Sequence, residues 1–282
     1  MRYGRALPHW RHLALSAFAV AALIFILAPL AIVVLTSFSS RAYTVFPPEE
    51  YSLRWYENLA KQATFYAAAV RSVVLALVAT ATSLVIGIMA AYALVRYRPR
   101  GRGALKAFFL FPVVLPKMVL GVAVFMLVVR LGVYGNPLNL VLTHTLICVP
   151  FVIAIVAASL ANFDWSLQEA ALDLGARPVR AFMKVVLPQI GVGVFISGLL
   201  AFVTSFDQIE TTMFLMRPGE GTLPIEMFLY LQRWQDPTIA ALSSVLILFA
   251  AVLLVATSLV LRRRRLTALS NPAENGQIDA HA

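Results

Sequence analysis

Charged side chains are rare in the apolar stretches of this sequence, so each one found there is a candidate for chemistry. Asp207 and Glu210 stand three residues apart in one long apolar block, and Lys117 lies near the middle of another. A charge within a membrane-length segment is costly and defaults to a functional role. On a continuous helix Asp207 and Glu210 would share a face. Two carboxylates lining a cavity would suit an amine-bearing cation through charge-assisted hydrogen bonds. If the helix ends earlier, they are solvated at the interface instead. Lys117 could snorkel, pair with a carboxylate or sit at a subunit interface, and the sequence leaves all three open. His144 reads as a packed, neutral ring rather than a proton relay.

Other chemistries lack their residues. The chain holds no Gly-x-x-x-x-Gly-Lys-Ser/Thr phosphate loop, no His-Glu-x-x-His, and no Ser, His and Asp in one aqueous loop. His9, His12, His144 and His281 are too scattered for metal ligation, and the single Cys148 excludes a disulfide within the chain. No catalytic residue, metal or cofactor is expected.

The elements that must position these charges are membrane helices. The 282 residues are 61% hydrophobic and 13% charged, where a soluble domain carries about 25% charged residues. A helix crossing the hydrocarbon needs about 20 apolar residues. Blocks 13–37, 72–95, 107–130, 138–161, 189–214 and 238–261 meet that length, which predicts an all-α polytopic protein with about six spans. The first block exceeds the 7–15 apolar residues of a signal-peptide core and is read as a retained helix. The net charge of +10 sits in short runs between apolar blocks, with no soluble basic domain to hold nucleic acid.

Basic residues set the orientation. One set of flanks carries Arg2, Arg5 and Arg11, then Arg96, Arg98, Arg100, Arg102 and Lys106, then Arg177, Arg180 and Lys184, then Arg262 to Arg265. The other carries only Arg41, Arg54, Lys61, Arg130, Arg217 and Arg233. Both termini are therefore expected in the cytoplasm, with the arginine runs against anionic lipid. The division expected is a cytoplasmic arm at 1–12, a membrane domain at 13–261 and a cytoplasmic tail at 262–282. Among the outer loops, Ile225 to Trp234 could form a short helix lying against the membrane.

The loop 162–188 faces the cytoplasm. Ser166 followed by Glu169 has capping-box spacing. Glu169 to Leu174 are mostly strong helix formers, and Gly175 suits a left-handed C-terminal cap. Arg177-Pro178 opens a second helix over Val179–Val186, ahead of Leu187-Pro188. Local physics leaves two readings even: a helix–glycine turn–helix device, or an ordinary amphipathic connector.

This loop resembles the EAA loop of binding-protein-dependent ABC importer permeases. The family pattern is Glu-Ala-Ala, three residues, Gly, nine residues, Ile, one residue, Leu-Pro. Glu169-Ala170-Ala171, Gly175, Val185 and Leu187-Pro188 match it, with valine in place of isoleucine. Arg71-Ser72-Val73, Gly87, Ala90-Ala91-Tyr92-Ala93 and Arg96-Tyr97 resemble the second family helix, and Pro112, Leu115-Pro116 and Leu120-Gly121 the third. Ser52 to Tyr56, Ser205-Phe206-Asp207, Thr222-Leu223-Pro224 and Asp236 to Ala241 are similar to the spermidine/putrescine-type permeases. Related permeases for iron, sulfate or aminophosphonates share several of these.

The resemblance implies a type I ABC importer permease fold in the cell inner membrane. It implies docking of the loop on a cytoplasmic ATPase dimer, with Glu169 making a polar contact and Ala170, Ala171 and Gly175 a close-packing surface. A second permease and an extracytoplasmic solute-binding protein would complete the complex, and ATP hydrolysis would lie on the partner. An ion-coupled secondary transporter is the rival class, and it predicts inverted repeats that this sequence lacks.

Overall fold

The computed structural model describes residues 9–43 and 46–269. Every named element is helical. The helices are α1 (His9–Thr36), α2 (Arg54–Lys61), α3 (Ala63–Tyr92), α4 (Arg102–Val114), α5 (Lys117–Arg130), α6 (Pro137–Ala161) and α7 (Trp165–Asp173). They continue with α8 (Pro178–Ala181), α9 (Leu187–Gln189), α10 (Gly191–Phe206), α11 (Thr212–Leu215), α12 (Leu223–Arg233) and α13 (Thr238–Leu269). Wider π-helical turns occupy Ala93–Tyr97 and Phe182–Val186.

Among the described residues, three helices are long and apolar enough to cross a membrane: Leu13–Thr36, Ala63–Tyr97 and Pro137–Ala161. Two expected spans are bent instead. Arg102–Val114 meets Lys117–Arg130 at 99°, and Pro178–Gln189 meets Gly191–Phe206 at 77°. The first bend corrects the reading of 107–130 as one straight span. Pro116 has no N–H to continue the ladder, and Leu115 before it takes the extended conformation that a following proline enforces. The last expected span is α13, whose apolar part begins at Thr238. The short outer helix expected near Ile225–Trp234 is α12.

The chain forms two compact units. One comprises 1–62 and 230–282, the other 63–229. In the first, α13 packs against α1 and α2. Trp55 is buried there and donates from Nε1 to Ser39 O at 2.7 Å, while Asn58 donates to Thr238 Oγ1 at 2.8 Å.

The second unit is built on α3, α6 and α10, each packed against the other two. Its pattern inverts that of a water-soluble bundle. Beyond Phe65, the buried stripe of α3 is Ala68, Ser72, Ala76, Ala79, Ser83, Gly87 and Ala91, while Val74, Leu77, Val85 and Met89 face outward. Lipid is as apolar as leucine, so burying large side chains gains little and close backbone approach gains more. A methyl on Gly87 would lie 2.7 Å from Val152 Cβ. One on Gly193 would overlap Ser159. Gly193 and Ser197 are both buried in α10.

Candidate functional site

The 164–189 element begins where α6 ends. Asp164 Oδ1 accepts from Ser166 N at 3.0 Å and from Ser166 Oγ at 2.8 Å, and so caps α7. Those bonds hold the Asp164 carboxyl below its usual pKa. This corrects the sequence reading, which started the helix at a Ser166 capping box. An aspartate two residues upstream supplies a charged acceptor, the better cap at a positive helix end.

The C-terminal end forms as expected. Gly175 has φ +84°, Gly175 N donates to Leu172 O at 2.9 Å, and Ala176 N donates to Ala171 O at 3.0 Å. That pair of bonds is the Schellman closure, and it satisfies carbonyls that a helix end would otherwise leave orphaned. Pro178 then stands at the first position of α8, and Leu187-Pro188 opens α9 at the foot of α10. Ala170 is exposed, Ala171 half-buried, and no atom crowds a Cβ placed on Gly175. The most exposed apolar side chains here are Leu174 at 89% and Val179 at 75%, one on either side of the turn.

Glu169 is already engaged. Its Oε1 accepts from Arg96 Nη2 at 3.1 Å, and that guanidinium lies 5.0 Å from the centre of the Trp165 ring. Gln168, beside it, is 2% exposed and donates from Nε2 to Tyr92 Oη at 2.7 Å. The Tyr92 ring meets Phe182 at 4.9 Å, Tyr97 at 5.9 Å and Trp165 at 6.0 Å. Sequence reasoning missed this cluster because its partners lie 73 and 76 residues apart.

Asp207 and Glu210 stand differently from their expected arrangement. Helix α10 ends at Phe206, with Asp207 as its C-cap and residues 207–211 outside any helix. Asp207 and Glu210 therefore do not share a helix face. Asp207 is exposed, while Glu210 is half-buried and accepts from Gln208 Nε2 at 2.9 Å. The break is fastened by His144, which is 1% exposed. Thr212 Oγ1 donates to Gln208 O at 2.7 Å, so it accepts from His144 Nε2 at 2.9 Å. Nδ1, at 2.8 Å from Ser205 Oγ, then accepts the serine proton. The imidazole is a neutral bridge between α6, the end of α10 and α11. From the other side, Gly121 of α5 admits this turn so closely that a Cβ would lie 2.9 Å from Thr211 Cα.

Lys117 is not in mid-helix. It is the first residue of α5, directly after the 99° break, and it is exposed. A lysine at a positive helix end opposes the helix dipole, so packing does not account for it. Non-helical backbone at membrane depth is tolerated where it is buried in protein or lines a water-filled cavity. Two breaks, at 115–116 and 207–211, leave backbone outside helices beside Lys117, Asp207 and Glu210.

The family model for the inner membrane component of binding-protein-dependent transport systems matches residues 83–266. The chain belongs to this family. Its permease relatives cover most of the chain. The spermidine/putrescine transport system permease protein PotC of Haemophilus influenzae is 29% identical over 248 residues, 88% of this chain and 96% of that protein. The putrescine transport system permease protein PotI of Escherichia coli K12 is 32% identical over 231 residues, 79% of this chain and 82% of that one. Among solved structures, a bacterial ABC transporter that imports the acidic polysaccharide alginate has a chain with the same fold. The TM-score is 0.69 at 17% identity, over 93% of this permease and 99% of that chain. The all-α type I importer permease fold and the importer function expected from the coupling loop are those of the family.

Proposed function

We propose that this permease carries polyamines or similar organic cations inward as one of two membrane subunits of an ATP-driven importer. Both termini lie in the cytoplasm, with the arm at 1–12 and the tail at 262–282 flanking the membrane domain at 13–261. The chain itself is non-catalytic. ATP is hydrolysed by a cytoplasmic ATPase dimer, and the substrate arrives on an extracytoplasmic solute-binding protein. The relatives named for spermidine and putrescine support the substrate class.

The observation that carries the coupling role is the exposed apolar tip of the 164–189 element. Leu174 and Val179 stand out from a turn closed at both ends by caps, beside Arg177 and Arg180. A rigid, capped hairpin with apolar residues in water is a surface awaiting a partner. Glu169, Ala170, Ala171 and Gly175 present it, and Leu187 and Pro188 join it to α10. Asp207 and Glu210 meet the incoming cation at the outer break, and Lys117 marks the opposing break.

The test is radiolabelled putrescine uptake in cells carrying the whole importer, normalised to permease in the membrane. Asp207→Asn lowers uptake several-fold with assembly intact, and Asp207→Glu is milder. Glu169→Ala leaves the permease inserted but abolishes stimulation of hydrolysis by loaded binding protein. Parent-level uptake by Asp207→Asn removes Asp207 from the pathway. A binding protein that prefers an anion ends the polyamine reading and leaves the permease in place.

A further inference from the structure

The coupling helix α7 is joined to the bundle by unequal means. The backbone runs directly into α6 on one side, and through α8, α9 and the intervening π-helical turn into α10 on the other. The third bundle member, α3, is tied to α7 by side chains. Within α7 the buried residue is the amide of Gln168, while Leu167 faces outward. A helix docked by hydrophobicity alone would turn its leucines inward. Here the inner contact is a hydrogen bond to Tyr92, backed by the Arg96–Glu169 ion pair and by Arg96 stacked on Trp165.

We infer that Tyr92, Arg96 and Gln168 form a transmission clamp, positioning residues that carry displacement of the coupling helix into the cytoplasmic end of α3. The inference rests on the importer reading above. Apolar side chains slide past one another, whereas hydrogen bonds and ion pairs are directional and resist shear. The Tyr92 ring is also held from both flanks of the element, by Trp165 on α7 and Phe182 at the foot of the next segment. Motion of either flank therefore reaches the same tyrosine. Gln168 Oε1 is buried without a partner. An unmade buried bond is costly, and the Tyr92 hydroxyl can donate to Oε1 as well as accept from Nε2. The clamp can thus exchange one hydrogen bond for another when α7 shifts, without opening. Both π-helical turns adjoin it, one at the end of α3 and one after α8. Such turns recur at functional sites in helices.

The experiment uses the complete importer in vesicles, with ATP hydrolysis and radiolabelled putrescine accumulation read from the same sample. Tyr92→Phe keeps the ring and removes the hydroxyl. Gln168→Leu fills similar space without the amide. Arg96→Gln removes the charge, and Arg96→Lys retains it. We expect stimulated hydrolysis to persist while putrescine moved per ATP falls about fivefold in Tyr92→Phe, the weight of one net hydrogen bond. The ratio falls further in Tyr92→Phe/Arg96→Gln, and Arg96→Lys stays near the parent. Should Gln168→Leu fail to accumulate, Tyr92→Phe alone decides, because its ring packing is unchanged. A merely structural role lowers hydrolysis and uptake together and leaves their ratio at the parent value; that result overturns the clamp. Absence of ATP-dependent uptake with the parent chain overturns the importer reading itself, and the clamp with it.

Discussion

The turn at 164–176 and the turn at 206–215 both interrupt helices, and their ends are closed in opposite ways. The caps of the 164–176 turn come from its own backbone and side chains. Asp164 caps from two residues away, and Gly175 and Ala176 bond carbonyls three and five residues back. The 206–215 turn has some local bonds, but its fastening is the His144 ring, 61 residues from Ser205 and 68 from Thr212. A locally closed turn can move as a unit with its shape intact. A turn fastened from a distant helix keeps its shape only while that helix stays in register. The first suits a part that is pushed, the second a part that must respond to rearrangement around it.

Substitutions that cut each kind of fastening should separate the two. The largest effect belongs to His144→Leu, which leaves Ser205 and Thr212 without their ring partner in a buried site. We expect a loss of about 3 kcal/mol, from two buried hydrogen bonds at the usual cost of orphaned partners. It is read as a lower unfolding midpoint in detergent, with the coupling element still protected from amide exchange. Equal loss of protection at 165–176 would show that the two turns are one unit and collapse the comparison.

Gly175→Val should come next, at about 1–2 kcal/mol, since a non-glycine residue in the left-handed region carries that strain. Nothing crowds the site, so the effect is conformational and Gly175→Asn should recover most of it. The readout is amide exchange at Gly175 and Ala176, together with stimulated hydrolysis in the complex. If valine and asparagine behave alike, backbone handedness is not what the turn requires.

The smallest effect is Asp164→Ala, which frays the first turn of α7 and leaves the rest in place. It carries a pH signature. Because the folded pKa is depressed, the cap contributes fully above the unfolded value of about 3.9. Its contribution is lost as pH falls through the lower folded value. The protection factor at Ser166, with the intrinsic pH dependence of exchange divided out, should therefore be flat near neutrality, fall only in strong acid, and lose that acid step in Asp164→Ala.

The same contrast governs what could be read from the sequence. Gly175, Pro178 and the apolar blocks carry local instructions, and the structure follows them. Leu115-Pro116 carries one too, and breaks the apolar block 107–130. The end of α10 had no such signal. Phe206, Asp207 and Gln208 include neither glycine nor proline, and the helix stops there with its continuation fastened by His144 on another helix. Likewise Glu169 reads from its own neighbourhood as a cap or a partner contact. Its bond to Arg96 depends on how α3 and α7 are brought together, which no window of a few residues contains.

The small-residue seam of α3 has a mechanical consequence. Ala68, Ser72, Ala76, Ala79, Ser83, Gly87 and Ala91 give that face almost no relief. Leucine knobs seated in holes must climb out before two helices can shift, and close-packed interiors resist such steps. Methyls and hydroxyls present a smoother track, along which one helix can travel against another while backbone contact is kept. Such a face behaves as a bearing: stiff against separation, compliant along its length, and able to let whole helices reposition without remaking a core.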